Sequence, residues 1–157
     1  RECPVLFNSP DIMPTMLELC GIKIPESVDG RSIVPWLEGD RKDEDRAVLL
    51  QSICPSGEWH KFKGGRAYRG IRTKRYTYVK EIDSQGVRPW LLYDNQEDPF
   101  QLCNLVDEGA EKELILWLEE RLKNAMEEVG DVYMTAAEAV KKWGYQVNFL
   151  GTMPWNI

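Results

Sequence analysis

The chain has 157 residues, 43% of them hydrophobic, with six Trp, six Tyr and a formal net charge of −6. That much apolar and aromatic material suits one packed domain, or a small domain plus part of another, and excludes global disorder. The acidic balance argues against a dedicated nucleic-acid binder, and no apolar run approaches the roughly 18 residues that crossing a bilayer takes.

The opening Arg1-Glu2-Cys3-Pro4 has neither an initiator Met nor the apolar stretch of a signal peptide, as expected of a piece that begins within a longer protein. Four cysteines (Cys3, Cys20, Cys54 and Cys103) stand far apart without a C-x-x-C pair. Zinc is not expected on that spacing, while disulfides and buried free thiols both stay open.

The first predicted element is a short helix that starts around Ser9-Pro10-Asp11 and closes at Gly21. Ile12, Met13, Met16, Leu17, Leu19 and Cys20 leave it little polar surface, so it is expected to be largely buried, against a partner that this chain can lack. Residues 21–45 read as a connector punctuated by Pro25, Gly30, Pro35 and Gly39, with one helical turn over Ser32–Leu37. The charged run Asp40–Arg46 is expected to be a solvated loop.

Strand texture follows. Ala47–Ile53 is a β-rich run ended by Pro55-Ser56-Gly57. Arg69–Arg72 and Tyr76–Val79 read as a hairpin turning near Thr73-Lys74, and Trp90–Tyr93 as a fourth strand stopped by Asp94-Asn95. Short consecutive strands favour antiparallel pairing. Ala110–Val129 is the strongest helix, with Leu114, Ile115, Leu118, Leu122, Ala125, Met126 and Val129 on one stripe that would bury itself against the sheet. Thr135 and Glu138 fit a capping box for a last helix to about Trp143, and the aromatic tail Gly144–Ile157 is expected to pack back onto the body. The predicted fold is α+β: a small antiparallel sheet of about four strands packed against a long C-terminal helix.

Chemistry-bearing motifs are sparse. His60 is the lone histidine and sits in Gly57-Glu58-Trp59-His60-Lys61-Phe62-Lys63, either in contact with a substrate or as an ordinary loop histidine. Nothing near Cys54-Pro55-Ser56 would depress a thiol pKa, so Cys54 reads as structural. Asp94–Asp98 opens like a calcium loop but fails at Pro99, where that loop needs Gly, and Asp94 and Asp98 read instead as caps of a turn. From Lys61 to Lys80 there are eight Lys or Arg and no acid, interleaved with Tyr68, Tyr76 and Tyr78. Two readings stay open for it: an anion-binding face, or a hairpin whose cations pair with acids elsewhere.

Four blocks in order carry a resemblance. They are Asn8–Ile22 (with Asp11, Pro14 and Thr15), Val28–Leu37 (with Asp29-Gly30-Arg31-Ser32 and Pro35), Tyr68–Val79 (with Arg69, Arg72 and Tyr76) and Leu92–Leu105 (with Tyr93-Asp94, Asp98-Pro99 and Asn104-Leu105). Together they resemble the C-terminal region of the sulfatases, members of the alkaline phosphatase superfamily. The resemblance implies that the parent protein hydrolyses sulfate esters. It also implies a formylglycine and a divalent metal, usually calcium, both supplied by motifs upstream of the Pro14-Thr15 helix. No catalytic residue or metal ligand of that family can be carried onto a position here, because Cys54-Pro55-Ser56-Gly57 lacks the spacing and the Arg of the formylglycine motif.

On this reading residues 1–45 are the last helix and connector of the missing N-terminal catalytic domain, which is the expected partner. Residues 46–130 form the C-terminal subdomain, and 131–157 a final helix and aromatic tail. Trp59, His60 and Lys61, with Lys63 and Arg66 behind them, are the candidate substrate-binding residues, an aromatic to stack on a sugar and cations to meet sulfate. The expected substrate is a sulfated small molecule or glycan, and the family implies an extracytoplasmic location. A phosphodiesterase or phosphonate monoester hydrolase of the same superfamily, and an independent sulfated-glycan-binding module, remain the alternatives.

Overall fold

The structure, a computed structural model, describes residues 3–39, 45–53 and 67–148. It divides into two compact units, residues 1–48 and 49–157.

In the first unit a 3-10 turn, Ser9–Asp11, runs into α1 (Ile12–Leu19). Its start is capped by Asn8 rather than Ser9. The Asn8 side chain accepts from the Ser9 N–H at 2.8 Å, and Asp11 Oδ2 accepts from the Asn8 N–H at 2.8 Å. These bonds satisfy donors that a helix start otherwise leaves unpaired. Gly21, at φ +68°, closes α1 in the left-handed region that glycine enters without steric cost. The predicted turn after the connector is α2 (Val34–Glu38), which ends at Gly39.

One expectation fails here. Within α1 only Pro14 and Thr15 are buried, whereas Ile12, Met13, Met16 and Leu19 are 50–58% exposed. The physical reason is the side through which the helix packs. Thr15 turns toward the segment before α2, accepting from the Ile33 N–H at 3.1 Å, and the apolar side of α1 stays open.

The second unit is built on a sheet whose described strands run in the order β1 (Val48–Ser52), β2 (Ala67–Arg72), β3 (Tyr76–Asp83), β4 (Gly86–Asp94). β2 and β3 pair antiparallel from Ala67↔Ile82 to Arg72↔Thr77, and β3 and β4 pair antiparallel from Tyr76↔Asp94 to Asp83↔Gly86. The first hairpin turns as predicted: the Tyr76 N–H donates to Thr73 Oγ1 at 2.8 Å, and the Thr73 N–H to the Tyr76 carbonyl at 2.8 Å. β4 starts well before the predicted Trp90, because Asp83 Oδ1 accepts from the Gln85 N–H at 2.8 Å and tightens a second hairpin. Pro89 is tolerated in that strand because β4 ends the order and the ladder slips at Val79/Lys80.

α3 (Lys112–Glu128) packs against β2. Leu118 and Leu122 are fully buried and Met126 nearly so, alongside Ile71, Tyr78 and Leu92. A fully buried aliphatic side chain contributes roughly 1.5–3 kcal/mol, so this stripe anchors the unit. Val129, predicted on the same stripe, lies beyond the helix end and is exposed. α4 (Ala136–Trp143) has the predicted capping box, with the Glu138 N–H on Thr135 Oγ1 at 3.3 Å and the Thr135 N–H on Glu138 Oε2 at 2.7 Å. In the tail Trp143 and Tyr145 pack ring to ring at 6.0 Å. The predicted loop over residues 40–44 and the tail from 149 onward lie outside the described residues.

Candidate functional site

The predicted substrate-binding residues Trp59, His60, Lys61, Lys63 and Arg66, together with Cys54-Pro55-Ser56, lie outside the described residues. What the structure does describe is the rest of the basic stretch, and there Arg69, Arg72, Arg75 and Lys80 each meet an acceptor. Arg69 is fully buried and its guanidinium grips both carboxylate oxygens of Asp131, Nη2 reaching Oδ1 at 3.1 Å. Its Nη1 also donates to the Ser52 carbonyl at 3.2 Å and the Tyr68 carbonyl at 2.9 Å, so one side chain ties β1, β2 and the segment after α3 together.

Lys80, paired with Arg69 in the β2–β3 register, donates to Glu119 Oε1 at 2.6 Å and lies 5.9 Å from the Tyr133 ring centre. Arg75 donates Nε and Nη2 to Asp94 Oδ2 at 2.9 and 2.7 Å. Arg72 Nη1 donates to Thr77 Oγ1 at 2.6 Å and to Asn95 Oδ1. Of the two readings kept for this stretch, the hairpin with paired cations describes Arg69, Arg72 and Lys80, and Arg75 through its Nε and Nη2.

These contacts set the titration of the acids. The hydrogen bond from Arg75 holds the Asp94 carboxyl below the ordinary carboxylate range. Burial pushes Glu119 up, but the hydrogen bond and charge of Lys80, with the Tyr78 hydroxyl, outweigh it and leave its carboxyl lowered. Burial, reinforced by the neighbouring Glu119 charge, drives the Tyr78 hydroxyl well above the ordinary tyrosine value. Tyr78 is therefore a fixed donor to Glu119, at 3.1 Å.

The turn after β4 is braced as the sequence suggested. Asp94 Oδ1 accepts from the Gln96 N–H at 3.1 Å, and Asp98 Oδ2 from the Cys103 N–H at 2.8 Å. Gln101 was not foreseen. It takes a left-handed backbone (φ +56°), and its Nε2 donates to Asn95 Oδ1 at 2.7 Å and Thr77 Oγ1 at 3.1 Å. Asn95, Glu119 and Asp131 were missed too. Only Asn95, directly after a strand, carried a local signal; Glu119 and Asp131 find their partners 39 and 62 positions away. Among the described residues no group of three or more His, Cys, Asp or Glu is placed to hold a metal. Cys3, Cys20 and Cys103 are free thiols.

In the first unit the resemblance blocks interlock. Asp11, 2% exposed, accepts from the Arg31 N–H at 2.9 Å and from Arg46 Nη2 at 2.8 Å, while Arg46 Nη1 donates to the Leu6 carbonyl at 2.9 Å. Thr15 Oγ1 donates to the Asp11 carbonyl at 2.6 Å. Gly30, at φ +87°, lies so close to Pro10 that a Cβ there would stand 2.3 Å from the Pro10 carbonyl oxygen. Asp11, Thr15, Gly30 and Arg31 thus hold one knot, and α1 carries Ile12, Met13, Met16 and Leu19 exposed outside it.

Fold and clusters define a two-unit α+β region in which buried polar groups brace the backbone and one apolar helix face stays open. Residues 3–128 match the family model described as N-sulphoglucosamine sulphohydrolase, C-terminal, and the chain belongs to that family. Among curated relatives it is 32% identical over 142 residues to an ulvan-active sulfatase of Formosa agariphila, covering 88% of this chain and 26% of the relative. It is 35% identical over 156 residues to an endo-4-O-sulfatase of Bacteroides thetaiotaomicron, covering 86% of this chain and 28% of the relative. A crystal structure of a putative sulfatase from Bacteroides thetaiotaomicron shares the fold, with a TM-score of 0.61 and 23% identity over 77% of this chain and 25% of that one. The chain thus spans about a quarter of the length of these relatives. No helix among the described residues is long and apolar enough to cross a membrane.

Proposed function

We propose that this chain is the C-terminal region of a longer sulfatase that hydrolyses sulfate esters on a polysaccharide. The observation that carries this reading is the family match over residues 3–128, whose motif positions Asp11, Thr15 and Gly30 build the knot beneath α1. The ulvan-active and endo-4-O-sulfatase relatives support a sulfated glycan as the substrate class. In this proposal the open face of α1 docks on the catalytic domain. That domain supplies the formylglycine nucleophile and the divalent metal. The segment with Trp59, His60, Lys61, Lys63 and Arg66 contributes to substrate selection at the rim of the cleft.

The test compares the 157-residue chain with the longer protein that carries it, measuring sulfate release from a sulfated polysaccharide and from a small aryl sulfate. The longer protein should release sulfate and the chain alone none. Turnover by the chain alone, or hydrolysis of phosphodiesters instead of sulfate esters by the longer protein, would overturn the proposal. Within that enzyme, unchanged KM and kcat on the polysaccharide after Trp59→Ala and His60→Ala would remove the substrate-selecting role.

A further inference from the structure

Where the β2–β3 turn meets the first half of α3, four side chains form a single row. The Arg75 guanidinium lies over the Tyr76 ring at 5.1 Å, and Tyr76 meets Trp117 edge-on at 6.2 Å and 74°. The Arg121 guanidinium lies over the Trp117 ring at 5.0 Å. Two aromatics stand between two cations at cation–π and edge-to-face distances, so each side chain is held by the next.

Tyr76 and Arg121 are half-buried, the Arg121 Nε out of reach of solvent, and the other two lie at the surface. Trp117 is 40% exposed, and the Arg75 side chain 49%. A surface Trp gripped by its neighbours loses little further freedom when a ligand covers it. Arg75 is pinned as well: Asp94 Oδ2 takes its Nε and Nη2, leaving Nη1 with no partner among the described residues.

We propose that this row is a binding subsite for a sulfated polysaccharide, with a sugar ring against Trp117 and a sulfate group on the Arg75 guanidinium. The choice of polymer rests on the function proposed above; the chemistry rests on the row. An aromatic side chain offers an apolar platform to the C–H face of a pyranose. The Arg75 Nη1, the nitrogen not held by Asp94, offers its N–H groups to the oxygens of an anionic ester. Diffuse attraction does not account for such binding, because the chain carries a net charge of −6 and α3 exposes Glu113 and Glu120. Affinity for a polyanion has to arise locally, which makes it removable by single substitutions.

The experiment measures binding of the full chain to chondroitin sulfate, to the same polymer chemically desulfated, and to polyphosphate, at increasing salt. The chain should bind the sulfated polymer best, with affinity that falls as salt rises. Trp117→Ala should weaken binding about tenfold, the effect of about 1.4 kcal/mol of lost stacking. Trp117→Phe should retain most of the affinity, and Arg75→Gln should flatten the salt dependence. If Trp117→Ala fails to fold, Arg75→Gln alone, at a side chain 49% exposed, carries the test through its loss of affinity. Equal binding to the desulfated polymer, equal binding to polyphosphate, or variants that bind like the wild type would each overturn the subsite. Sulfate release from a small aryl sulfate by the longer protein tests the sulfatase reading separately, since such a substrate needs no polysaccharide subsite.

Discussion

α1 and α3 both carry apolar residues at helical spacing: Ile12, Met16 and Leu19 on the first, Leu118, Leu122 and Met126 on the second. The second set is at most 4% exposed and the first at least 50%. The difference does not lie in the stripes, which both follow helical periodicity. It lies in what each helix meets. α3 has a sheet surface built from Ile71, Tyr78 and Leu92, whereas α1 is pinned through Asp11 and Thr15 on its polar side. A stripe therefore reports that a face is suited to burial, and the rest of the chain decides whether a partner is at hand. In the function proposed here, the partner of α1 is the catalytic domain.

The largest effects are expected where the second unit is clamped. Asp131→Ala leaves the fully buried Arg69 guanidinium without its counter-charge and should cost about 3–5 kcal/mol in denaturant unfolding. Leu122→Ala removes a fully buried side chain from the α3 stripe and should cost about 3 kcal/mol. If Leu122→Ala leaves the unfolding midpoint in place, α3 does not anchor the sheet and the contrast with α1 collapses. In the first unit Gly30→Ala should cost about 1–3 kcal/mol. It forces a Cβ into a left-handed backbone and against the Pro10 carbonyl. The loss should show as earlier proteolysis near residues 28–33 while the second unit stays intact.

A smaller effect separates the pairs that brace the sheet from those that anchor it. In the folded chain Glu119 titrates below its ordinary range, so on acidification the unfolded chain takes up this proton first. The stabilising contribution of the pair is therefore full at neutral pH and is lost as pH falls from about 4 through the lowered folded value. Because the Glu119 side chain is 35% exposed, the loss should stay below about 1 kcal/mol. Glu119→Gln should shrink the drop in Tm between neutral and acid pH. An undiminished drop would mean that the Lys80 pair adds no stability.

The legible parts of this molecule are those written in local spacing. The first hairpin, the α3 stripe, the Thr135–Glu138 cap and the Asp94–Asp98 turn all depend on residues within a few positions of one another, and the sequence carried each. β4 was read short, because Pro89 speaks against a strand unless the strand is known to end the order. Partners far apart in sequence were not legible. Nothing near Arg69 announces Asp131, and nothing near Trp117 announces Tyr76. The burial of α1 was misjudged for the same reason, since composition counts apolar residues without naming what covers them. The sulfatase blocks were legible as a pattern, yet their purpose was not. Only the fold shows Asp11 collecting the Asn8 and Arg31 N–H groups and the Arg46 guanidinium.

The smallest expected effect is the most discriminating. Ile12→Ser and Met16→Ser change half-exposed side chains, so in the isolated chain each should shift stability by no more than about 0.5 kcal/mol. In the longer enzyme the same positions are proposed to be covered, and covering one such side chain contributes roughly 1.5–3 kcal/mol. The paired substitution should therefore leave the melting of the isolated chain nearly unchanged while lowering the Tm of the longer protein. A loss in the isolated chain as large as that of Leu122→Ala would mean that α1 is already buried. No loss in either protein would mean that nothing docks there. Only the split result, silent in the piece and costly in the whole, supports α1 as one half of an interface whose other half lies in the longer protein, whereas α3 finds its partner within its own unit.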